Sequence, residues 1–303
     1  MRLSFRLLLS SLGFCAGLAP LAAFADPAPV IAVNREIGLS MTGTFRNSVS
    51  GGNSRLMENS GSGFITQSTS SSRYRTIGWT PGFQADASVM FNAFGIENLY
   101  GALHFSLEDG QRNYKSHYRS YSSNSAPYGF SAGGNDSSNG TDNRGEIGKG
   151  FLLLSDSLLL TPFIQGGYVT SGSDGDFGYG SGNYFAGAGL KADYALTSRL
   201  VLRGRFGWAE VLNSGISYNN QPRPLWEGGL GMDYRLTQRL HLTAGGDYSY
   251  ISYGHDQEGN YSQHRGRNTS VIVSYLPGTY SYSGDSSALS NGLKLHAGLA
   301  WQF

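Results

Sequence analysis

The chain has 303 residues, of which 44 are glycine, while 13% are aromatic and only 14% are charged. Its net charge of +1 provides no long-range basic field, so nucleic acid is a poor candidate partner. The single cysteine, Cys15, excludes a disulfide within the chain. Because Cys15 lies in the N-terminal segment, the remaining residues offer no thiolate for metal binding or nucleophilic catalysis.

Residues 1–25 have the features of a secretory signal peptide. A basic start is followed by an apolar stretch from Leu7 to Leu21 and by Ala23-Phe24-Ala25, which matches the A-x-A form of a cleavage site. We therefore expect export through a cleavable signal peptide, with a single domain over residues 26–303. An uncleaved membrane anchor is the alternative. Beyond Ala25 no stretch of 18 apolar residues occurs, so the sequence predicts no transmembrane helix there.

The next signal is a repeated hairpin. The segment Asp193–Leu202 recurs as Asp233–Leu242 at a spacing of 40 residues, and Leu152–Leu160 is a looser copy. On both sides of these turns apolar and polar residues alternate with a period of two, which is typical of β-strands with one apolar face. The sequence thus predicts three tight turns of one kind, each joining two strands.

Extending this pattern predicts about ten strands of the length that a tilted membrane strand needs. They lie near residues 35–46, 80–91, 98–108, 144–154, 158–169, 184–194, 200–210, 224–234, 239–251 and 291–303. We predict an all-β fold, an antiparallel up-and-down transmembrane β-barrel with short periplasmic turns. Its long extracellular loops are expected near residues 47–79, 109–143, 170–183, 211–223 and 252–290. Eight or twelve strands are alternatives, since residues 268–276 also have the pattern of a strand.

The final segment alternates apolar and other residues up to the terminal Phe303. With Leu299 and Trp301 it resembles the C-terminal signal of Gram-negative outer-membrane barrels, which ends in an aromatic residue and is read by the barrel-assembly machinery. The stretches 145–151 and 160–168 are similar to the strand and turn signature of small outer-membrane barrels of the opacity and OmpX type. These resemblances imply location in the outer membrane, with its lipid and lipopolysaccharide as partners.

A barrel of ten strands is narrow, whereas porins with open channels use roughly 16–18 strands. Charged residues of both signs fall on the face opposite the apolar one, so we expect them to fill the lumen as a salt-bridged network. This network is predicted to contain Lys149, Lys191, Asp193, Arg203, Arg205, Glu227, Asp233, Asp247 and Lys294. The alternative is a porin-like, narrow channel for small solutes or ions, lined by the same side chains.

The sequence carries little sign of catalysis. Ten strands is also the size of the omptin outer-membrane proteases, which use an Asp pair and an Asp–His pair at the barrel mouth, and neither pair has a counterpart here. Asp174-Gly175-Asp176 lacks a nearby Asp-x-His, and Gly-x-Ser-x-Gly and His-Glu-x-x-His motifs are absent. A hydrolase built on His255 and His264 is the third hypothesis. We expect no enzymatic activity, no catalytic or metal-ligating residues and no cofactor.

The predicted loops favour binding at the cell surface. Tyrosine with serine, glycine and asparagine is typical of adaptable recognition surfaces, because an aromatic plane gives contact area at low entropy cost. The candidate surface-binding loop contains Arg112, Tyr114, Lys115, Tyr118, Arg119 and Tyr121. We expect a structural or adhesin-like role with an unknown extracellular ligand. Pairing of the basic residues with lipopolysaccharide phosphates is the alternative.

Overall fold

In the computed structural model, residues 28–60, 65–173, 181–214, 223–264 and 278–303 are described, and they form one antiparallel sheet. The predicted signal peptide lies outside these residues. The strands are β1 Glu36–Ser60, β2 Ile65–Ala93, β3 Ile96–Ser122, β4 Ser125–Lys149, β5 Phe151–Leu153, β6 Leu158–Ser173, β7 Ser181–Ala195, β8 Leu200–Ser214, β9 Arg223–Arg235, β10 Leu240–His264 and β11 Gly278–Gln302. A short helix, α1, spans Pro29–Ala32.

The sheet closes into a barrel. Apart from β4 and β5, each strand pairs with its neighbour in sequence, and the first strand, β1, pairs with the last, β11. Only Gly150 separates β4 from β5, and both pair with β6, so together they occupy one position of the ring. Within the described residues the barrel therefore has ten positions, which confirms the predicted strand number. The additional strand considered at residues 268–276 lies outside the described residues.

The two ends of the barrel differ. At one end, here called the base, tight turns at 94–95, 154–157, 196–199 and 236–239 join the described strands, and Glu36 pairs with Gln302. The opposite end is called the rim. Strands β1–β4, β10 and β11 have 25 to 29 residues, whereas β6–β9 have 13 to 16. A strand needs about 9–11 residues to cross a membrane, so the longer strands extend well beyond the length that crossing requires.

This rim extension corrects the prediction of long loops. Residues 47–59 pair with residues 65–77, and 109–120 pair with 128–139, in unbroken register. Their serine, glycine and asparagine content is typical of loops, but each strand continues the hydrogen-bond ladder of its neighbour. The extension contains residues 47–60, 65–77, 109–122, 125–139, 252–264 and 278–291.

Two of the base turns share one geometry. In the turn at 196–199, Thr197 Oγ1 accepts hydrogen bonds from the backbone N–H groups of Arg199 (3.2 Å) and Leu200 (3.0 Å). Thr237 does the same in the turn at 236–239. The turn at 154–157 differs, because Leu154, Ser155 and Asp156 all have positive φ angles. The prediction of three turns of one kind is therefore right for the repeat at a spacing of 40 residues and wrong for the looser copy.

Side chains alternate strictly between the outside and the lumen. On β1, Ile37, Leu39 and Met41 point outward and are exposed, while Ser40 and Thr42 point inward and are buried. The outward apolar side chains form a band around the barrel. On β11 this band runs from residue 293 to 303, about 33 Å of strand, which is about 25 Å of height at the usual tilt of about 40°. Within the described residues, no helix is long and apolar enough to cross a membrane.

Candidate functional site

A short N-terminal segment occupies the base of the lumen. Helix α1 and the following Val33 and Asn34 lie inside the barrel, where Val30 and Asn34 are fully buried. Val30 and Val33 pack in one apolar cluster with inward side chains from the barrel wall, namely Met90, Tyr100, Leu159, Phe163 and Val201. Residues 29–34, here called the plug, therefore join the wall at the base.

Asn34 anchors the plug to the wall. Its Nδ2 donates to the backbone oxygen of Val30 (2.8 Å) and to Asp193 Oδ2 (2.8 Å). Its Oδ1 accepts a hydrogen bond from Lys191 Nζ. Each polar atom of this buried amide thus has a partner, which fixes the position of the plug relative to β7. Asn34 was not among the residues predicted to face the lumen.

A charge network surrounds this anchor. Arg203 on β8 reaches Glu36 Oε1 (2.8 Å) and Asp193 Oδ1 (3.3 Å), and Lys191 Nζ lies 3.5 Å from Asp193. The Lys191 ammonium also lies 5.1 Å from the centre of the Tyr100 ring. Lys191, Asp193 and Arg203 thus face the lumen at the predicted positions, where they meet the plug.

A second base cluster has the donor atoms of a metal site. Ligand atoms of Glu36, Asp233 and His241 lie within 4.8 Å of one another, and all three residues are buried. His241 Nδ1 is 2.8 Å from Asp233 and 3.5 Å from Glu36. Arg203 already supplies a positive charge to Glu36, so this trio also works as a metal-free ion-pair cluster.

A third network crosses the middle of the lumen. Arg205 Nη2 lies 2.7 Å from Glu146, while Arg144 reaches Glu227 (2.8 Å) and Asp142 (2.5 Å). Lys294 Nζ is 3.9 Å from Asp142. Arg205, Glu227 and Lys294 face the lumen at the predicted positions, whereas Asp142, Arg144 and Glu146 were missed.

The prediction for Lys149 was wrong, and the same wrongly assigned strand face explains why Arg144 and Glu146 were not predicted to face the lumen. The lysine was predicted to face the lumen, but Ile147, Lys149 and Phe151 all lie on the exposed outer face. Its ammonium rests 5.1 Å from the centre of the Phe151 ring. A lysine at the edge of an apolar band can cover it with its stem while the charge stays in water. Correct alternation from Lys149 places Glu146 and Arg144 inside.

The lumen above the plug is open rather than filled, because one cavity reaches from the rim down to Glu36, Lys191 and Arg203. Asp86 pairs with His104 (2.6 Å), and Asp247 pairs with His296 (3.4 Å), along the walls of a cavity of about 1140 Å³. Serine, threonine and glycine line much of the cavity above these pairs. The prediction of a lumen filled by charged side chains is therefore right only in part: charged networks form at the base and in the middle, but the cavity continues beside them and is lined by small side chains toward the rim.

The candidate surface-binding residues lie on a strand, not in a loop. They alternate along β3, so Arg112, Tyr114 and Tyr118 share the inner face and Lys115, Arg119 and Tyr121 share the outer face. Arg112 is buried and donates to Ser138 Oγ. On the inner face Tyr114 stacks with Tyr74 (6.0 Å), and Tyr118, Tyr128 and Phe130 form an aromatic cluster. The predicted patch is therefore two surfaces with different chemistry.

The remaining predicted residues have simple positions. Leu299, Trp301 and Phe303 point outward at the base end of β11 and are exposed. Their role as an assembly signal stays a prediction. The side chains of His255 and His264, and residues 174–176, lie outside the described set.

Comparisons with known proteins find only weakly similar structures. No family model matches the chain, and no curated protein matches it. Solved structures that match include the beta domain of the Bordetella autotransporter BrkA, at 11% identity over 86% of this chain and 100% of that chain with a TM-score of 0.32. A Pseudomonas aeruginosa FadL homologue has 9% identity, 92% and 93% coverage and a TM-score of 0.31.

The translocator domain of the autotransporter NalP from Neisseria meningitidis has 13% identity, covers 95% of this chain and 96% of its own, and has a TM-score of 0.27. These values carry no argument about function. The resemblance to barrels of the opacity and OmpX type is not confirmed by the comparisons and stays a prediction.

Proposed function

We propose that the chain is an integral outer-membrane barrel whose base is closed and whose rim extension acts at the cell surface. Support for the membrane comes from the band of exposed apolar side chains, since soluble monomers rarely expose such continuous apolar surface. Aromatic side chains mark the rim edge of the band, including Phe45 with Trp79 (5.5 Å), and Trp226 near the rim end of β9. Trp301 and Phe303 mark its base edge. Aromatic girdles at both interfaces are typical of membrane barrels.

The single observation that supports a closed barrel is the buried plug. Val30 and Asn34 have no exposed surface, and neither does Asp193, the wall residue that holds Asn34. Water therefore does not reach these side chains from either end. A pore would need a continuous wet path through this level of the barrel.

The rim extension supports a role in surface interaction rather than catalysis. Residues 109–122 of β3 alone cover about 45 Å of strand at about 3.3 Å per residue, beyond what the membrane requires. Tyr121, Tyr128 and Phe130 are exposed on this wall. Paired strands hold such aromatic groups in fixed positions, so a ligand meets them with little loss of conformational entropy.

The test is single-channel conductance of the purified protein, refolded in detergent and inserted into a planar bilayer. The closed-base proposal predicts no steady openings. Val30→Asp places a carboxylate in the apolar cluster and should displace the plug and produce openings, while Ala132→Asp on the exposed extension should stay silent. Asn34→Ala tests the anchor without adding charge. Heat-modifiable mobility on gels checks that each variant is folded, and steady openings of the unmodified barrel would overturn the proposal.

A narrow channel is the second candidate, and the rim cavity of about 1140 Å³ favours it. In this reading a solute enters the cavity from the rim and passes the base when the plug moves. Openings in the unmodified protein that disappear when a disulfide between engineered cysteines holds the plug to β7 would support this candidate.

The assembly role of the terminal aromatic residue is part of the same proposal. Removal of Phe303 should lower the amount of barrel assembled in cells, while refolding in detergent should be unaffected because the side chain lies on the outer face. Equal amounts in the membrane would argue against recognition by the assembly machinery.

A further inference from the structure

The outer face of the rim extension carries a cluster of basic residues that the sequence does not reveal as one surface. Arg75 on β2 lies directly opposite Lys115 on β3, and Arg73 lies opposite His117. Arg119 follows on the same face of β3. All five side chains are exposed. Arg73, Arg75, Lys115 and Arg119 are here called the outer basic patch.

The charges of this patch lack acidic partners. Among the described residues, none of the four makes an ion pair with a carboxylate, and Arg75 Nε instead donates to Asn47 Oδ1 (2.8 Å). Asp109 lies on the same face of β3, but it is six residues from Lys115 toward the base, which is about 20 Å of strand. Side chains directly opposite each other in a sheet have Cβ atoms about 5 Å apart, and like charges at this spacing destabilise the pair. A bound anion would remove this repulsion.

The height of the patch indicates which anion. Trp79 marks the rim edge of the apolar band on β2, and Arg75 lies four residues beyond it. This is about 13 Å of strand, or about 10 Å of height at a tilt of about 40°. The polar headgroup layer of a bilayer begins at the band edge and is roughly 5–8 Å thick. The backbone of Arg75 and Lys115 therefore lies a few ångströms above this layer, within reach of it for their long side chains, and Arg73 and Arg119 lie about 5 Å and about 10 Å higher.

We propose that the outer basic patch binds the phosphate groups of the phosphorylated glycolipid of the outer leaflet. The inference rests on the proposed function, because it requires the barrel to cross that membrane with the rim outward. Arginine and lysine form charge-assisted hydrogen bonds to phosphate oxygens, and the arginine guanidinium can do so with two N–H groups at once. Four cations on two adjacent strands match a ligand that presents more than one phosphate.

The patch also lies on a rigid surface. The β2 and β3 strands pair in register from Ser68↔Ser122 to Ile77↔Asn113, so the spacing of the four cations is set by the sheet. Small residues on β4, such as Gly133 opposite Lys115, leave the neighbouring surface uncrowded. A glycolipid headgroup can therefore approach without displacing a side chain.

The test measures retention of bis-phosphorylated lipid A by the refolded, detergent-solubilised protein, followed by native mass spectrometry and titration. We expect the unmodified protein to bind lipid A and the variant Arg73→Gln, Arg75→Gln, Lys115→Gln, Arg119→Gln to bind at least tenfold more weakly. The control variant Arg199→Gln, Arg239→Gln removes exposed cations from two base turns and should bind like the unmodified protein.

Two further probes separate the possible sources of binding. Dephosphorylated lipid A should bind the unmodified protein as weakly as lipid A binds the fourfold variant. Phosphatidylglycerol binding as tight as lipid A binding, or equal binding of lipid A by the fourfold variant, would overturn the inference. Gel mobility and vesicle insertion are measured first. A protein that fails to insert contradicts the proposed function, whereas an inserted barrel that does not bind lipid A contradicts only this inference.

Discussion

Asp193 offers the sharpest test of how the base is held together. Its side chain is fully buried and connects three groups, since it accepts a hydrogen bond from Asn34 and lies 3.3 Å from Arg203 and 3.5 Å from Lys191. The substitution Asp193→Asn keeps the shape and the acceptor for Asn34 but removes the negative charge. The positive charges of Arg203 and Lys191 then lose one negative partner.

Removing one partner of a buried ion pair costs about 3–5 kcal/mol. Glu36 still accepts from Arg203 in this variant, so we expect the lower end, a loss of about 3 kcal/mol in the free energy of unfolding. Lys191→Met removes one of the two cations that lose this partner. The double variant should therefore lose about 1–2 kcal/mol less than the sum of the single variants.

Urea unfolding of the barrel in phospholipid vesicles, followed by tryptophan fluorescence, measures these free energies. Asp156→Asn is the matched control, because Asp156 is exposed in a base turn and is expected to change stability by less than 0.5 kcal/mol, as is typical of surface sites. A loss for Asp193→Asn no larger than that of the control, or strict additivity with Lys191→Met, would refute the account of the base network.

Three further predictions concern the turns, the wall and the membrane band. Thr197→Ala and Thr237→Ala should each lower the free energy of unfolding by about 1 kcal/mol, additively, because each removes two hydrogen bonds from a separate turn; unequal effects in urea unfolding would contradict the shared geometry. Gly187→Ala should fail to give heat-modifiable barrel, since a Cβ there would lie 2.2 Å from Trp208 O, whereas Gly166→Ala, with its nearest atom at 3.6 Å, should fold normally. Met41→Lys, at a side chain that is 80% exposed in the band, should cost about 2–4 kcal/mol in vesicles, whereas Ser71→Lys above the band should cost much less; equal costs would place the membrane elsewhere.

Much of the barrel follows from alternation with a period of two. This period sends Arg203 and Arg205 to the lumen and Leu202 and Phe206 to the lipid side, because a strand in a closed sheet has only two faces. The prediction for Lys149 was wrong because the outer face of its strand was taken for the inner face. The exposed side chain of Ile147, two residues away, identifies the outer face.

The plug had no comparable signal. Four helical residues make too short a pattern for periodicity, and Val30 is apolar like many residues near a signal peptide. Its burial depends on contacts with β6 and β8, which lie far along the chain. Local sequence therefore does not predict that these residues return into the lumen.

The rim extension was missed for a different reason. Serine, glycine and asparagine are frequent in turns, so composition favoured loops at residues 47–79 and 109–143. The alternation of Arg112, Tyr114 and Tyr118 with Lys115 and Arg119 was nevertheless present in the sequence. That pattern predicts a strand with an aromatic face and a basic face, and it would have separated the two surfaces.

The central claim is a barrel that crosses the outer membrane with its rim outward. Asn124→Cys places a thiol in the turn between β3 and β4 at the rim, and Ser198→Cys places one in a base turn. We would label intact cells with a membrane-impermeant maleimide, using the unmodified chain as the control for Cys15. We expect labelling at residue 124 in intact cells and at residue 198 only after the membrane is broken. Labelling at residue 198 in intact cells, or none at residue 124, would contradict it.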